Sequence, residues 1–457
     1  MANQKYDAIV LGFGKGGKTL SGALAKQGKK VALVERSSGM YGGTCINVGC
    51  IPSKSLVTSA AAAAPHKNDP YEIKAARYAA AIAEKRRVTA FLRDKNYHKL
   101  ADLPNVTVVD GVGRFTSPTT VAVQGKDGEV VLEAEKIFIN TGSRPVDPGI
   151  AGLENNPRAY TSESLMDEDK LPARLALIGA GYIGMEFASM YANFGAEVTV
   201  LQDAGDFLPR EDRDVADEIR RILEKQGVRF ILGAVTSRLD GGTVHYTQNG
   251  EAHTLEADAV LIATGRRPAT DDLDAARAGV ALTPRGAVQV DDALRTTAPN
   301  IWAMGDVAGG LQFTYVSLDD FRIVKAQLTG TPGHTTADRA AAPAGVAYSV
   351  FMDTPLGRAG ITEAQAMAKG LDCRVVKLPT AAVPKAQVLR KTDGFLKAVI
   401  DNKTGKILGA ALLCPEAYEV INTVAMAMDL GADYTVLRDR IYTHPTMTEA
   451  LNDLFAL

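Results

Sequence analysis

The chain has 457 residues, 46% of them hydrophobic and 23% charged, with a formal net charge of -2 at pH 7. That length exceeds one ordinary core of ~100–200 residues and implies several domains, while the balanced charge excludes the basic excess of a nucleic-acid or anionic-membrane binder. No apolar run reaches the ~18 residues of a membrane span, the N-terminus has no signal-like apolar segment, and four cysteines exclude a disulfide scaffold, so a cytoplasmic protein is expected.

Asp7 to Leu11 is an apolar run suited to a buried parallel strand. It leads into Gly12-Phe13-Gly14-Lys15-Gly16-Gly17, then helix-forming residues, then Val31 to Glu35, which completes a βαβ unit. In such a turn the missing side chains let backbone approach a pyrophosphate, and the helix N-terminus attracts its charge. Glu35 stands 23 residues after Gly12, where a carboxylate accepts hydrogen bonds from an adenosine ribose.

Next comes Gly42-Gly43-Thr44-Cys45-Ile46-Asn47-Val48-Gly49-Cys50-Ile51-Pro52-Ser53-Lys54. Side chains five positions apart diverge by ~140° on an ideal helix, so bridging Cys45 to Cys50 requires a distorted turn, which Gly49 and Pro52 can supply. A helix beginning beside them is expected to set its positive end at the sulfurs and lower the thiolate pKa. On residues alone the pair reads as a redox couple, as zinc ligands or as two inert thiols. No second Cys or His pair stands at a usable spacing, so no metal is expected. Cys373 and Cys414 stand alone in apolar stretches and read as packing residues. Ser59 to Ala64 and the stretch from Tyr71 to His98 read as helices with one face in solvent.

The strand-like Ile137 to Asn140 runs into Thr141-Gly142-Ser143-Arg144-Pro145. A second βαβ unit then begins at Leu175 to Ile178, passes through Gly179-Ala180-Gly181-Tyr182-Ile183-Gly184 and closes at Val198 to Leu201. Its later partner is Val260 to Ala263 followed by Thr264-Gly265-Arg266-Arg267-Pro268. Two nucleotide-binding domains are implied. At the ribose position the second copy has Gln202, then Asp203. Gln does not repel a 2′-phosphate, yet no Arg follows before Arg210 to pair with one, which favours NADH over NADPH.

Ile301 to Asp306 has no second copy and reads as a return to the first domain. From about Ala344 shorter elements suggest a third. Near the C-terminus, His444 and Glu449 read either as an acid/base pair or, through Thr446-x-x-Glu449, as a capping box that starts the last helix.

Together these segments resemble the class I pyridine nucleotide-disulfide oxidoreductases, the group of dihydrolipoamide dehydrogenase, glutathione reductase and mercuric reductase. The resemblance covers essentially the whole chain and rests on Gly42 to Lys54, both glycine fingerprints, both Thr-Gly segments, Gly305-Asp306 and His444 to Glu449. It implies an α/β fold with two Rossmann-like domains, for FAD and NAD(P), plus a C-terminal α+β dimerisation domain. The implied boundaries are 1–148 and 271–341 for FAD, 149–270 for NAD(P) and 342–457 for the interface.

By resemblance, Gly12, Gly14, Gly17 and Glu35 bind the adenosine diphosphate part of FAD and Asp306 its ribityl chain, with Thr44, Thr141 and Gly142 alongside. Gly179, Gly181, Gly184, Gln202 and Gly265 serve the nicotinamide nucleotide. Cys50 is the thiol beside the flavin and Cys45 the thiol that meets substrate. Lys54 lies near the reactive flavin nitrogen and pairs with Glu186. His444 and Glu449 form the dyad that reaches the cysteines of the other subunit, which implies a homodimer.

Dihydrolipoamide dehydrogenases usually carry Ala-His after the Gly-Asp, whereas this chain has Gly309-Gly310-Leu311-Gln312-Phe313-Thr314-Tyr315-Val316-Ser317-Leu318-Asp319-Asp320, and no extra C-terminal cysteine pair of the mercuric reductase kind follows. This segment, together with Asn193-Phe194-Gly195, Leu208-Pro209-Arg210-Glu211-Asp212 and Leu451-Asn452-Asp453-Leu454-Phe455, resembles the bacterial reactive-chlorine-resistance flavoprotein reductases, which are similar to hypothiocyanous acid reductases and to which copper(II) reduction is also attributed. Reduction of a small oxidant, with no nucleic-acid or membrane partner, is therefore expected. A dihydrolipoamide dehydrogenase-like enzyme and a redox-sensing or metal-binding flavoprotein are the alternatives. Phe313 and Tyr315 read either as a narrow pocket beside the flavin or as core.

Overall fold

The computed structural model of the chain describes residues 4–457. These form two compact units, each assembled from three stretches of sequence. The first comprises the stretch ending at Ser55, Ile82–Val146 and Gly265–Asp338; the second comprises Leu56–Ala81, Asp147–Thr264 and Arg339–Leu457.

In the first unit the strands Val106–Asp110, Val31–Glu35, Gln4–Leu11 and Gly128–Ile139 lie side by side in parallel, with Ile301–Ala303 added parallel to Ile137–Ile139. An antiparallel meander of Thr120–Gly125 and Val112–Ser117 extends the sheet from the other half of Gly128–Ile139. The runs are nearly all apolar because both faces are covered: Ile9, Val10, Leu33, Ile137 and Ile139 have no solvent exposure. Parallel strands need a crossover, and the helix Lys15–Lys26 supplies the first.

The second unit repeats the device. Arg229–Leu232, Glu197–Gln202, Arg174–Ile178, Ala259–Ile262 and Ala159–Thr161 form a parallel sheet, with the helix Tyr182–Phe194 as its crossover. Gly179 amide donates to the Leu201 carbonyl as Gly12 amide donates to that of Val34, so the two glycine turns leave their sheets at matching points. The unit also holds an antiparallel sheet in the order Tyr348–Val350, Leu356–Gly360, Ile407–Leu413, Phe395–Asp401, Cys373–Pro379. The helix Ala417–Asp429 shares its core through Val420, Ile421, Val424 and Met428. The chain is thus α/β with a C-terminal α+β part, as its sequence implies. Among the described residues no helix is long and apolar enough to cross a membrane.

Candidate active site

Backbone crowding dictates the glycines of the first fingerprint. A Cβ at Gly12, where φ is +108°, would lie 2.2 Å from the Asn140 carbonyl oxygen, and one at Gly17 would lie 2.4 Å from that of Gly12. Gly14 caps the helix without a side chain, and Gly43 packs against it so closely that a Cβ there would lie 2.6 Å from the Gly14 Cα. The result is a side-chain-free cradle of the sort a pyrophosphate occupies.

Glu35 closes the turn. Its carboxylate accepts the Phe13 amide at 3.0 Å. Burial pushes its pKa up to about 7, against the backbone amides of Phe13, Arg36 and Ser37, which hold it down. A desolvated carboxylate next to the cradle fits ribose hydroxyls as donors.

Asn140 was not singled out from the sequence, yet the turn is built on it. Its Oδ1 accepts the Gly17 amide at 2.8 Å, and its Nδ2 donates to the Met304 carbonyl at 2.6 Å. Ser317 accepts the Gly16 amide at 3.1 Å and Asp320 accepts the Gly305 amide at 2.7 Å. These are long-range contacts with no local sequence signal.

The same holds around Asp306. Its carboxylate takes the Ser143 hydroxyl at 2.6 Å, and Ser143 is in turn held by Arg266, from Nε to Oγ at 2.9 Å. Burial raises the Asp306 pKa, while Ser143 and Arg266 oppose that shift. Thr141 donates to the Ala269 carbonyl at 2.7 Å, and a Cβ at Gly142 would meet nothing within 4 Å. The two Thr-Gly segments run into the strands Ser143–Pro145 and Arg266–Pro268, which pair antiparallel.

The cysteines lie in the same unit. The helix Thr44–Asn47 carries Cys45 and breaks at Val48–Gly49; a new helix, Cys50–Ala63, then starts at Cys50 itself. A Cβ at Gly49 would lie 3.0 Å from the Thr44 carbonyl, so the break is the distorted turn the spacing demands. Neither thiol is bridged. They hydrogen-bond to each other, and both meet Thr314, whose hydroxyl lies 3.5 Å from the Cys50 Sγ.

This corrects one expectation. The Cys45 pKa moves up, first because its thiol is hydrogen-bonded to Cys50, then because it is buried; Thr314 and Lys18 act in the opposite direction. Two adjacent sulfurs do not both ionise readily, and the longer helix begins at Cys50 itself. Thr314 opens the helix Thr314–Thr329 between Phe313 and Tyr315, whose rings stack at 5.1 Å. Tyr315 is exposed, so the core reading of that pair does not hold.

In the second unit, Cβ atoms at Gly179 and Gly184 would lie 2.6 and 2.2 Å from backbone oxygens, but one at Gly181 would meet nothing within 4 Å. Gly181 caps the helix Tyr182–Phe194 with no side-chain hydrogen bond, leaving an open helix N-terminus fit for a pyrophosphate. Gln202 repeats the part of Glu35: its Oε1 accepts the Ala180 amide at 2.7 Å, and its Nε2 donates to Asp203 at 2.6 Å. Gly265 has an open surrounding and φ of +122°.

Lys54 donates to Ser53 Oγ at 3.3 Å, and Glu186 accepts the Phe351 amide at 2.9 Å. Tyr182 and Tyr348 both donate to Glu211 Oε1, at 2.6 and 2.5 Å, and Arg358 Nε lies 3.1 Å from Glu211 Oε2. The Glu211 side chain has no solvent exposure. Burial and then the Glu211 charge push the Tyr348 pKa up to about 12.

His444 Nδ1 lies 2.8 Å from Glu449 Oε2, while Glu449 Oε1 accepts the Thr446 amide at 2.9 Å and the Glu449 amide donates to Thr446 Oγ1 at 3.2 Å. One carboxylate thus serves both the imidazole and a reciprocal Thr446–Glu449 pairing that lies ahead of the last helix, Ala450–Leu454, whose N-cap is Glu449 itself without a side-chain cap. Against its burial, the His444 ring and the Thr446 amide hold the Glu449 pKa below the usual value. His444 itself is largely exposed.

Residues 6–320 match the family model for pyridine nucleotide-disulphide oxidoreductases, and residues 346–455 match that for their dimerisation domain. The chain is 51% identical to the probable pyridine nucleotide-disulfide oxidoreductase RclA of Escherichia coli, over 99% of both chains. It is 34% identical to the dihydrolipoyl dehydrogenase of Geobacillus stearothermophilus, covering 97% of this chain and 94% of the other. A solved structure described as the Cu(II) complex of the HOCl-induced flavoprotein disulfide reductase RclA from Escherichia coli superposes with a TM-score of 0.92, covering 99% of each chain.

Proposed function

Because the chain belongs to the pyridine nucleotide-disulphide oxidoreductase family, we propose that it is an FAD-dependent NAD(P)H oxidoreductase whose Cys45–Cys50 couple reduces a small electrophilic oxidant, hypothiocyanous acid foremost. The observation that carries this reading is the hydrogen-bonded thiol pair at Thr314, in the unit that also holds the first fingerprint, Glu35 and Asp306. Gly12, Gly14, Gly17, Glu35 and Asp306 fit FAD; Gly179, Gly181, Gly184 and Gln202 fit the nicotinamide nucleotide. FAD, when bound, supplies two-electron transfer from the nicotinamide to the Cys45–Cys50 disulfide.

The rest is the work of the side chains. The Cys45 thiolate attacks the sulfur of hypothiocyanous acid, forming an S–S bond and expelling hydroxide. The Cys50 thiolate then attacks the Cys45 sulfur of that sulfenyl thiocyanate, closing the disulfide and releasing thiocyanate. Thr314, within reach of both thiols, orients them for this exchange. His444, held by Glu449, is the proton donor that converts the departing hydroxide to water, acting from a second copy in a homodimer. Lys54 contributes positive charge to the electron-accepting end of the couple.

A small oxidant is favoured by the exposed Gly309 to Gln312 segment in place of Ala-His and by the relative described as HOCl-induced. Copper(II) is a second acceptor to test, since that relative was solved as a Cu(II) complex. NADH is favoured because no arginine follows Gln202 before Arg210 to pair with a 2′-phosphate, while the neighbouring Asp203, held by Gln202 Nε2 at 2.6 Å and the Ala204 amide at 2.7 Å, adds negative charge beside Gln202.

The test is steady-state oxidation of NADH and NADPH with hypothiocyanous acid, glutathione disulfide, lipoamide and Cu(II), in wild type and Cys45→Ser. The highest kcat/KM is expected with NADH and hypothiocyanous acid, and the variant is expected to lose it. A win for lipoamide overturns the oxidant; a colourless protein overturns the whole reading.

A further inference from the structure

The turn that carries Cys45 is too short to stand alone. Its helix, Thr44–Asn47, has four residues, where a helix in water needs ~12–15 to hold by itself. The backbone supplies only the bonds of Ile46 and Asn47 to the Gly43 carbonyl, at 3.2 and 3.3 Å, and of Val48 to that of Thr44, at 2.9 Å. The Asn47 side chain adds a second set, for its Nδ2 donates to the Tyr41 and Gly43 carbonyls, both at 3.0 Å. A residue standing between the two cysteines is thereby tied to the chain that precedes both.

Arg93 keeps the Asn47 amide that way round. From the last third of the helix Tyr71–Ala101, in the same unit as the cysteines, its Nη1 donates to Asn47 Oδ1 at 3.3 Å and to the Gly39 carbonyl at 3.2 Å. A guanidinium has donors only, so it selects the amide oxygen and leaves Nδ2 for the two carbonyls. Tyr97, one turn further along the same helix face, stacks on Tyr41 with ring centroids 4.6 Å apart, and the Tyr41 hydroxyl donates to Asp110 Oδ1 at 2.8 Å. One helix face thus grips the chain at Gly39, Tyr41 and Asn47, on both sides of Cys45.

We propose that Arg93 is a positioning residue of the redox couple: by orienting the Asn47 amide it fixes the turn that carries Cys45 and holds that thiol opposite Cys50. The inference rests on the reading of Cys45 and Cys50 as a redox pair. Closing a disulfide costs conformational entropy that grows with the freedom the two thiols have beforehand. Releasing the turn widens that freedom in the dithiol more than in the bridged state, so loss of Arg93 moves the couple towards the dithiol.

The experiment poises the flavin-loaded protein anaerobically in mixtures of reduced and oxidised dithiothreitol, whose two thiols close to a cyclic disulfide as the Cys45–Cys50 disulfide takes up two electrons and two protons. Acid quenching, alkylation and peptide mass spectrometry give the dithiol fraction, with flavin content and thermal unfolding measured alongside. Arg93→Met is expected to shift the equilibrium about tenfold towards the dithiol, a reduction potential about 30 mV less negative. Arg93→Lys keeps a donor-only cation and is expected to stay within about threefold of wild type. Asn47→Ala should match Arg93→Met, and the double variant should be no worse than Asn47→Ala alone, since both act along one path. Should Arg93→Met fail to fold, Arg93→Gln replaces it, with a shift of at least about threefold expected.

A wild-type equilibrium in a folded Arg93→Met or Arg93→Gln protein overturns the proposal. So does loss of flavin with the equilibrium unchanged, which makes Arg93 a support of the cofactor and not of the couple. Shifts that add in the double variant overturn it too, because Arg93 would then act by its charge on the thiols and not through Asn47. Wild-type protein whose two cysteines form no disulfide at any poise removes both this inference and the function proposed above. An Arg93-dependent couple in a protein that leaves hypothiocyanous acid unreduced keeps this inference and removes that oxidant.

Discussion

Replacing Asn140 by Asp alters a single group in a residue that is 5% exposed. Its neighbours fix which end of the amide faces which way: the Gly17 amide, 2.8 Å away, needs an acceptor, and the Met304 carbonyl, 2.6 Å away, needs a donor. Asp still accepts from Gly17 but sets an anionic oxygen against the Met304 carbonyl. Losing that donor costs ~1–3 kcal/mol, and holding an unpaired buried charge adds to it, so Asn140→Asp is expected to lose about 3–5 kcal/mol at neutral pH. Protonating the new carboxyl restores a donor, so the loss should shrink as pH falls. Urea unfolding and the flavin-to-protein absorbance ratio, measured from pH 5 to pH 8, provide the assay. An Asn140→Asp protein as stable as wild type at pH 7, or one whose deficit ignores pH, refutes the argument that one amide ties both ends of the turn.

Arg358→Met strands the wholly buried Glu211 carboxylate and should cost about 3–5 kcal/mol in thermal or urea unfolding, while Arg358→Met with Glu211→Gln should recover more than half; a single variant costing under ~1 kcal/mol would show that the two tyrosine hydroxyls suffice. Glu35 holds its proton to about 7 when folded but only to its ordinary value near 4.5 when unfolded, so its contribution to the flavin-free chain is full below about 4.5 and fades as pH rises through about 7. Stability of wild type relative to Glu35→Gln should therefore fall by about 3 kcal/mol across that window, and parallel urea curves would contradict it. Gln is the natural replacement, because Gln202 already accepts the Ala180 amide at the matching place.

The parts of the fold that can be read from sequence are those imposed locally. Gly12, Gly17, Gly179 and Gly184 declare themselves because any side chain there would strike backbone within the same turn or the adjoining strand. The break between Cys45 and Cys50 is likewise demanded by their spacing. What escaped were polar residues whose partners are over a hundred positions away: Asn140 under Gly17, Ser317 under Gly16, Arg266 behind Ser143. They have no periodicity to betray them. Glu449 poses a choice between two roles in the sequence, but a carboxylate has two oxygens, and each is occupied. The direction of the Cys45 shift depends on how close another thiol lies, which only the folded loop decides.

The division of each unit among three stretches of chain has a bearing on how the protein is made. The edge of Ile137–Ile139 that Ile301–Ala303 eventually covers is synthesised well over a hundred residues earlier. At ribosomal speeds of ~5–20 residues per second, that bare apolar edge waits roughly ten to thirty seconds for its neighbour. A nascent chain at this stage would be a natural client for a holdase chaperone, and one that stops after Thr264 would already carry both fingerprints and both thiols while lacking Asp306 and Thr314.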